Sequence, residues 1–104
     1  MEILFTDQNF AEYASQNKPM LIDFYADWCG PCRHLAPTVE ELAKKYEGKA
    51  LIGKCNVDEN EELVARFGVR NIPAVFFLVG EEIKDKSIGA VPANVLEEKL
   101  SAIL

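Results

Sequence analysis

An almost wholly apolar run, Met20-Leu21-Ile22-Asp23-Phe24-Tyr25-Ala26, leads directly into Trp28-Cys29-Gly30-Pro31-Cys32. Apolar runs of this length suit central strands covered on both faces, and the cysteines open a helical pattern. The chain is therefore constrained to a strand-to-helix junction with two thiols at its tip. Residues three apart meet on one helix face. Their Cα atoms then fall in the window a disulfide needs, roughly 4.4–6.8 Å. Such a pair closes and reopens without large backbone movement, as a reversible two-electron carrier requires.

The rest of the pattern frames that junction. Ile3 to Phe5 reads as a short edge strand, and Thr6 or Asp7 as the cap of a helix carrying Phe10, Tyr13 and Ala14 to about Asn17. Pro19 breaks the helix before the Met20–Ala26 strand. Cys29 to Tyr46 is helical, with Leu35, Val39, Leu42, Ala43 and Tyr46 on one face. Pro37 removes a backbone donor inside it and should kink the axis, and Gly48 ends it. Ala50–Val57 is a third strand and Asn60–Phe67 a short helix before Gly68. Ala74–Val79 and Glu82–Ile88 are joined by Gly80-Glu81 as a hairpin. Asn94–Leu104 closes the chain as a helix, with Val95, Leu96, Leu100 and Ile103 on one face. This order predicts an α/β fold: a mixed sheet of about five strands, the last two an antiparallel hairpin, flanked by about four helices. Sites in such sheets gather beyond the carboxyl ends of parallel strands, which is where Cys29 stands.

Composition narrows the chemistry. A length of 104 residues fits one domain, 1–104, and 49% apolar content supports a core that needs no staples. Three cysteines cannot all pair within one chain, which argues against a secreted disulfide scaffold. The net charge of −6 counts against nucleic acid and anionic membrane surfaces as partners. The start, Met1-Glu2-Ile3-Leu4-Phe5, has neither the basic nor the long apolar region of a signal peptide, and no run approaches a membrane span. The expectation is a soluble, cytoplasmic monomer.

Helix N-termini present unpaired N–H groups and partial positive charge, so a thiolate is stabilised there. Cys29, at the helix mouth, is expected to be the exposed attacker; Cys32, one turn inside, the less accessible resolver. Cys29 thiolate attacks a substrate disulfide, and Cys32 then attacks Cys29 Sγ, releasing reduced substrate. Gly30 clears room for a substrate backbone, and Pro31 stiffens the first turn.

Over essentially its whole length the chain resembles the thioredoxin family. The resemblance rests on Asp23-Phe24-Tyr25-Ala26 before Trp28-Cys29-Gly30-Pro31-Cys32, then Pro37, Lys54, Asp58, Val69, Ile72-Pro73 and Gly89. It implies the thioredoxin fold and a protein-disulfide reductase, recycled by a thioredoxin reductase and acting on client proteins with disulfides. On the residues alone, Asp23 is an acid inside an apolar strand, whose poor solvation raises its pKa; it is a candidate proton acceptor, or an acid satisfied by a buried hydrogen bond or by solvent. The resemblance gives it the role of taking the proton from Cys32, directly or through a water. Lys54 reads as a snorkelling strand residue; the resemblance sets it beside Asp23, tempering its ionisation. Pro73 reads as a trans turn into a strand, whereas the resemblance implies a cis Ile72–Pro73 bond, with the Ile72 backbone free to pair with an extended substrate. Trp28, Gly30, Pro31, Ile72, Pro73, Gly89 and Ala90 form the expected apolar docking platform, with core burial the competing reading for Trp28. Phe24, Tyr25, Phe67, Phe76 and Phe77 read as plain core.

Cys29, Cys32, Cys55 and His34 nominally make a zinc set, but Cys55 lies mid-strand, where a free cysteine behaves as a small hydrophobe. No metal and no cofactor are expected. Tyr25 stands where many relatives carry Trp, Asn71 where Gly or Ser is common, and Ala74 where Thr is common. Asp27 places an acid near Cys29, which opposes thiolate formation. Two other functions stay open: a disulfide oxidase or isomerase, and a non-catalytic binding subunit of the same fold. The Gly30-Pro31 spacer, the acidic chain and the missing leader favour reduction.

Overall fold

A computed structural model describes residues 1–104. Its sheet is organised around β2 (Pro19–Tyr25), the apolar run, which is buried on both faces from Met20 to Phe24. β3 (Leu51–Asn56) lies parallel to β2 on one side and β1 (Ile3–Leu4) parallel to β3 beyond it. On the other side β4 (Ala74–Val79) and β5 (Glu82–Ile88) run antiparallel, giving the order β1-β3-β2-β4-β5. The helices are α1 (Phe10–Ala14), α2 (Gly30–Lys45), α3 (Glu61–Phe67) and α4 (Ala93–Ser101). Five strands, four helices and the terminal hairpin agree with the expected architecture, with ends shifted by up to three residues, as at Ala14 and Ser101. No helix is long and apolar enough to cross a membrane.

Alternation along β2 divides the core. Met20, Ile22 and Phe24 pack with Phe5, Phe10, Phe67 and Phe76. There Phe24, Phe67 and Phe76 meet in tilted and edge-on pairs with ring centroids 5.1–5.6 Å apart. Leu21 packs on the opposite face with Leu35, Val39 and Leu42 of α2 and Leu96 and Leu100 of α4. Asp23 is an odd position and therefore lies on the α2 face. That parity sets an acid under the helix that carries the cysteines.

Of the two caps expected for the first helix, Thr6 serves: its Oγ1 accepts the N–H of Asn9 at 3.1 Å, its own N–H donates to Asn9 Oδ1 at 2.8 Å, and its carbonyl accepts the N–H of Phe10. α1 runs from Phe10 to Ala14, and the chain turns at Asn17 with φ 54°. Asp7 instead reaches across the fold to α3, where its carboxylate accepts the N–H groups of Glu62 (3.2 Å) and Leu63 (2.9 Å). A short helix whose own N-cap makes no side-chain bond gains its acceptors from another segment. Pro37 lies inside α2 as expected, and the helix runs continuously through it; the proline gives up the bond to the Arg33 carbonyl, on an exposed face.

β1 is seated by the lack of a side chain at Gly53. A Cβ there would lie 2.0 Å from the Ile3 carbonyl oxygen, inside any allowed contact. Only glycine lets β1 pair at this register, Ile3 opposite Gly53 and Leu4 opposite Lys54.

Candidate functional site

β2 ends at Tyr25 and α2 begins at Gly30, so the intervening turn delivers Cys29 as the N-cap of a 16-residue helix. Its extended backbone (φ −92°, ψ 110°) turns Sγ back over the first turn, where it accepts the N–H of Cys32 at 3.3 Å. Gly30 and Pro31 occupy the first two helical positions, as N-terminal turns tolerate. Cys29 and Cys32 are joined in a disulfide with Cα atoms 5.3 Å apart. The expectation of an exposed Cys29 is corrected: it is 5% exposed and Cys32 2%. The bridge folds both sulfurs against Ala26, Tyr25, Val57 and Ile72, so their ranking holds but the openness does not.

Three loops converge on the bridge. The Ile72–Pro73 bond is cis, and Cys29 Sγ lies 3.9 Å from the Ile72 carbonyl oxygen. No other backbone group takes either the N–H or the C=O of Ile72. Pro73 is buried, and its carbonyl accepts the N–H of Gly89 at 2.8 Å, tying the Gly89-Ala90 turn to this loop. Trp28 is 69% exposed, which excludes the core reading, and its Nε1 donates to Asp58 Oδ2 at 2.8 Å. With Val57, Val64, Val69 and Ile72 it lines a largely apolar hollow of about 260 Å³.

Behind the bridge lies a second cavity of about 170 Å³, lined by Cys32, Asp23, Lys54, Tyr25 and Glu2 among others. Asp23 is 2% exposed, and its Oδ1 has no hydrogen-bond partner. Burial, reinforced by the charge of Glu2 and opposed by Lys54, raises its pKa from the ordinary 3.8 to about 7. Lys54 is its direct neighbour across the β2–β3 ladder. The ammonium forms no ion pair with Asp23; it stands over the Tyr25 ring, 5.3 Å from the centroid. Tyr25 is thus half-buried at the cavity wall rather than plain core. Cys55 points to the aromatic core on the other face and is fully buried, while His34 is an exposed helix residue.

Sequence reasoning brought together Cys29, Cys32, Asp23, Lys54 and the Ile72–Pro73 loop. It missed Glu2, and Asp58 entered only as a matching position. Neither carries a local signal. Glu2 is placed by the glycine contact under Ile3, and Asp58 by a partner thirty residues away.

The thioredoxin family model, described as "Thioredoxin", matches residues 2–102. "Thioredoxin 2" of Chlorobaculum tepidum is 49% identical over 96 residues, covering 91% of this chain and 88% of the relative. "Thioredoxin" of Chlorobaculum thiosulfatiphilum is 45% identical over 96 residues, 91% and 89% of the two chains. "Thioredoxin M-type, chloroplastic" of Pisum sativum is 50% identical over 82 residues, 79% of this chain and 48% of the relative.

Proposed function

Because this chain belongs to the thioredoxin family, we propose that it is a general reductant of protein disulfides in which Cys29 attacks and Cys32 resolves. It is a thiol–disulfide oxidoreductase of the thioredoxin fold, with protein-disulfide reductase activity. The observation that carries the assignment of roles is the N-cap geometry. A negative charge on Cys29 Sγ receives the Cys32 N–H and the positive end of a long helix, whereas Cys32 Sγ lies inside the turn.

In the reaction, Cys29 thiolate attacks one sulfur of the client disulfide; the client S–S bond breaks and a mixed disulfide forms, freeing one client thiolate. Cys32 gives its proton to the Asp23 carboxylate, and its thiolate attacks Cys29 Sγ. The mixed disulfide breaks, the second client thiolate leaves and takes up a proton, and the Cys29–Cys32 bridge holds the two electrons' worth of oxidation removed from the client. Asp23 suits this step because it lines the same cavity as Cys32 and its proton affinity lies near neutrality. Lys54, beside it in register, lowers the cost of the carboxylate. A cavity of about 170 Å³ also has room for a relaying water.

Client segments dock in extended form across the unpaired backbone of Ile72, flanked by Trp28, Gly30 and Pro31 on one side and Pro73, Gly89 and Ala90 on the other. The free Ile72 N–H and C=O and the apolar hollow beside Trp28 support this platform. A thioredoxin reductase returns the bridge to the dithiol. Residues 1–104 act as one domain, monomeric and cytoplasmic, with both helical layers packed on one sheet in support of the first point.

The test is trapping. Cys32→Ser accumulates a mixed disulfide through Cys29 when mixed with a disulfide-containing protein, and Cys29→Ser accumulates none, as read by non-reducing electrophoresis and mass spectrometry. The reverse pattern would exchange the two roles.

A further inference from the structure

We infer that Glu2 is a positioning residue for the resolving step: at the wall of the cavity that holds Asp23 and Cys32, it competes with Asp23 for the single ammonium of Lys54 and so keeps Asp23 a strong proton acceptor. This rests on the reading of Asp23 as the acceptor for Cys32.

Three observations place Glu2 there. It lines the same cavity as Asp23, Cys32 and Lys54. Its position is imposed by the backbone: Gly53 admits Ile3 into direct contact, Leu4 pairs with Lys54, and Phe5 N–H donates to the Lys54 carbonyl at 2.8 Å. The residue just before Ile3, two before the Leu4 that pairs with Lys54, is thereby delivered beside the β2–β3 pair in which Lys54 and Asp23 lie opposite one another. Finally, the Asp23 Oδ1 facing this space is buried with no partner, and Lys54 forms an ion pair with neither carboxylate. Lys54 therefore stands beside two acids and pairs with neither.

The surrounding charges decide the direction. Besides Asp23, β2 contributes Tyr25, and the turn after it Asp27. β3 contributes Lys54, and α2 contributes Arg33 on this side. On its outer side Glu2 lines a hollow with Glu40 and Lys44 of α2 and with Glu47 of the turn after it, Glu47 being engaged by the amino group of Met1 at 2.6 Å. Glu2 itself is raised above the ordinary 4.5 by burial, with Lys54 opposing and Glu40 adding. After burial, the charge of Glu2 is the next cause of Asp23's rise to about 7. The charge of Glu2 opposes loss of the proton from Asp23. A carboxyl with a midpoint near the working pH is the better base for a thiol. The N-terminal strand thus tunes chemistry at a motif far along the chain.

The direct test is the titration of the Asp23 side-chain carboxyl, followed by carbon-13 NMR of the oxidised protein. Glu2→Gln keeps shape and removes charge, so the Asp23 midpoint falls by about half a pH unit or more. Glu2→Asp retains the charge and returns the midpoint toward the wild-type value, which a purely structural role would not achieve. Glu40→Gln, on the outer side, moves Asp23 less than Glu2→Gln does. An unmoved Asp23 midpoint in Glu2→Gln, or an equal shift in Glu40→Gln, overturns the inference. The pH profile of mixed-disulfide resolution, measured by rapid quench, then addresses the premise separately. If its midpoint falls together with that of Asp23, both stand. If Asp23 moves and the profile does not, Asp23 is not the acceptor, while its coupling to Glu2 remains.

Discussion

Burial of Asp23 gives folding a pH dependence of calculable sign and size. Its midpoint in the folded chain is raised above the unfolded value, so its contribution is most favourable below 3.8, where both states are protonated. As pH rises through the window from 3.8 to about 7, the unfolded chain loses the proton while the folded one retains it, and stability is lost. At ~1.4 kcal/mol per pH unit, the whole window corresponds to about 4 kcal/mol. With Asp23 only 2% exposed, solvent screens little of this. Asn resembles the protonated acid in shape and polarity but cannot ionise. Asp23→Asn is therefore expected to match the parent within ~1 kcal/mol near pH 4 and to exceed it by about 4 kcal/mol near pH 8. Urea unfolding of the two oxidised proteins across that range supplies the measurement. Titrating groups away from Asp23 cancel between the two chains, leaving Asp23 together with its coupling to Glu2 and Lys54. A gain of equal size at both ends of the range would refute the reasoning, because it would then reflect packing rather than a buried ionisation.

Gly53→Ala sets a methyl group against the Ile3 carbonyl, and we expect a loss of at least ~2 kcal/mol in urea unfolding, together with a fall in the Asp23 midpoint as Glu2 is displaced. An unchanged unfolding midpoint would mean that β1 is not seated through this contact. Asp7→Ala deprives the first turn of α3 of two acceptors and should cost about 1–2 kcal/mol, with faster hydrogen exchange at the Glu62 and Leu63 amides. Exchange that speeds up in α1 instead would restore the capping role first expected of Asp7.

What is legible in the sequence is what local physics determines. The apolar run over β2 has no other stable home than a covered strand, and a CxxC at its exit can only open a helix or a turn. The anomaly of an acid at Asp23 was visible because it violated its surroundings. What escaped depends on parity and on distant partners. Tyr25 shares the pleat face of Asp23 and so joins the cavity wall, although its composition suggested core. Asp7 reads as a cap for the helix that follows it, yet serves one 56 positions away, since α3 lacks a side-chain cap of its own and α1 docks through Phe10 and Ala14. Cys29 reads as open because it precedes a helix, but in the bridged form its sulfur packs inward against Ile72. Glu2 carries no periodic signal at all; its place depends on a missing side chain on another strand.

Cys55 ends up on the opposite side of the sheet from the bridge, fully buried among phenylalanines, with burial and the nearby charge of Asp7 pushing its thiol up to about 12. Three thiols in one small chain offer three ways to pair, and two of those would strand the molecule in a misbridged form. The sheet acts as a partition that removes the third sulfur from the exchange. Each round of reduction and oxidation can then return to a single covalent isomer, without a proofreading step to unscramble it.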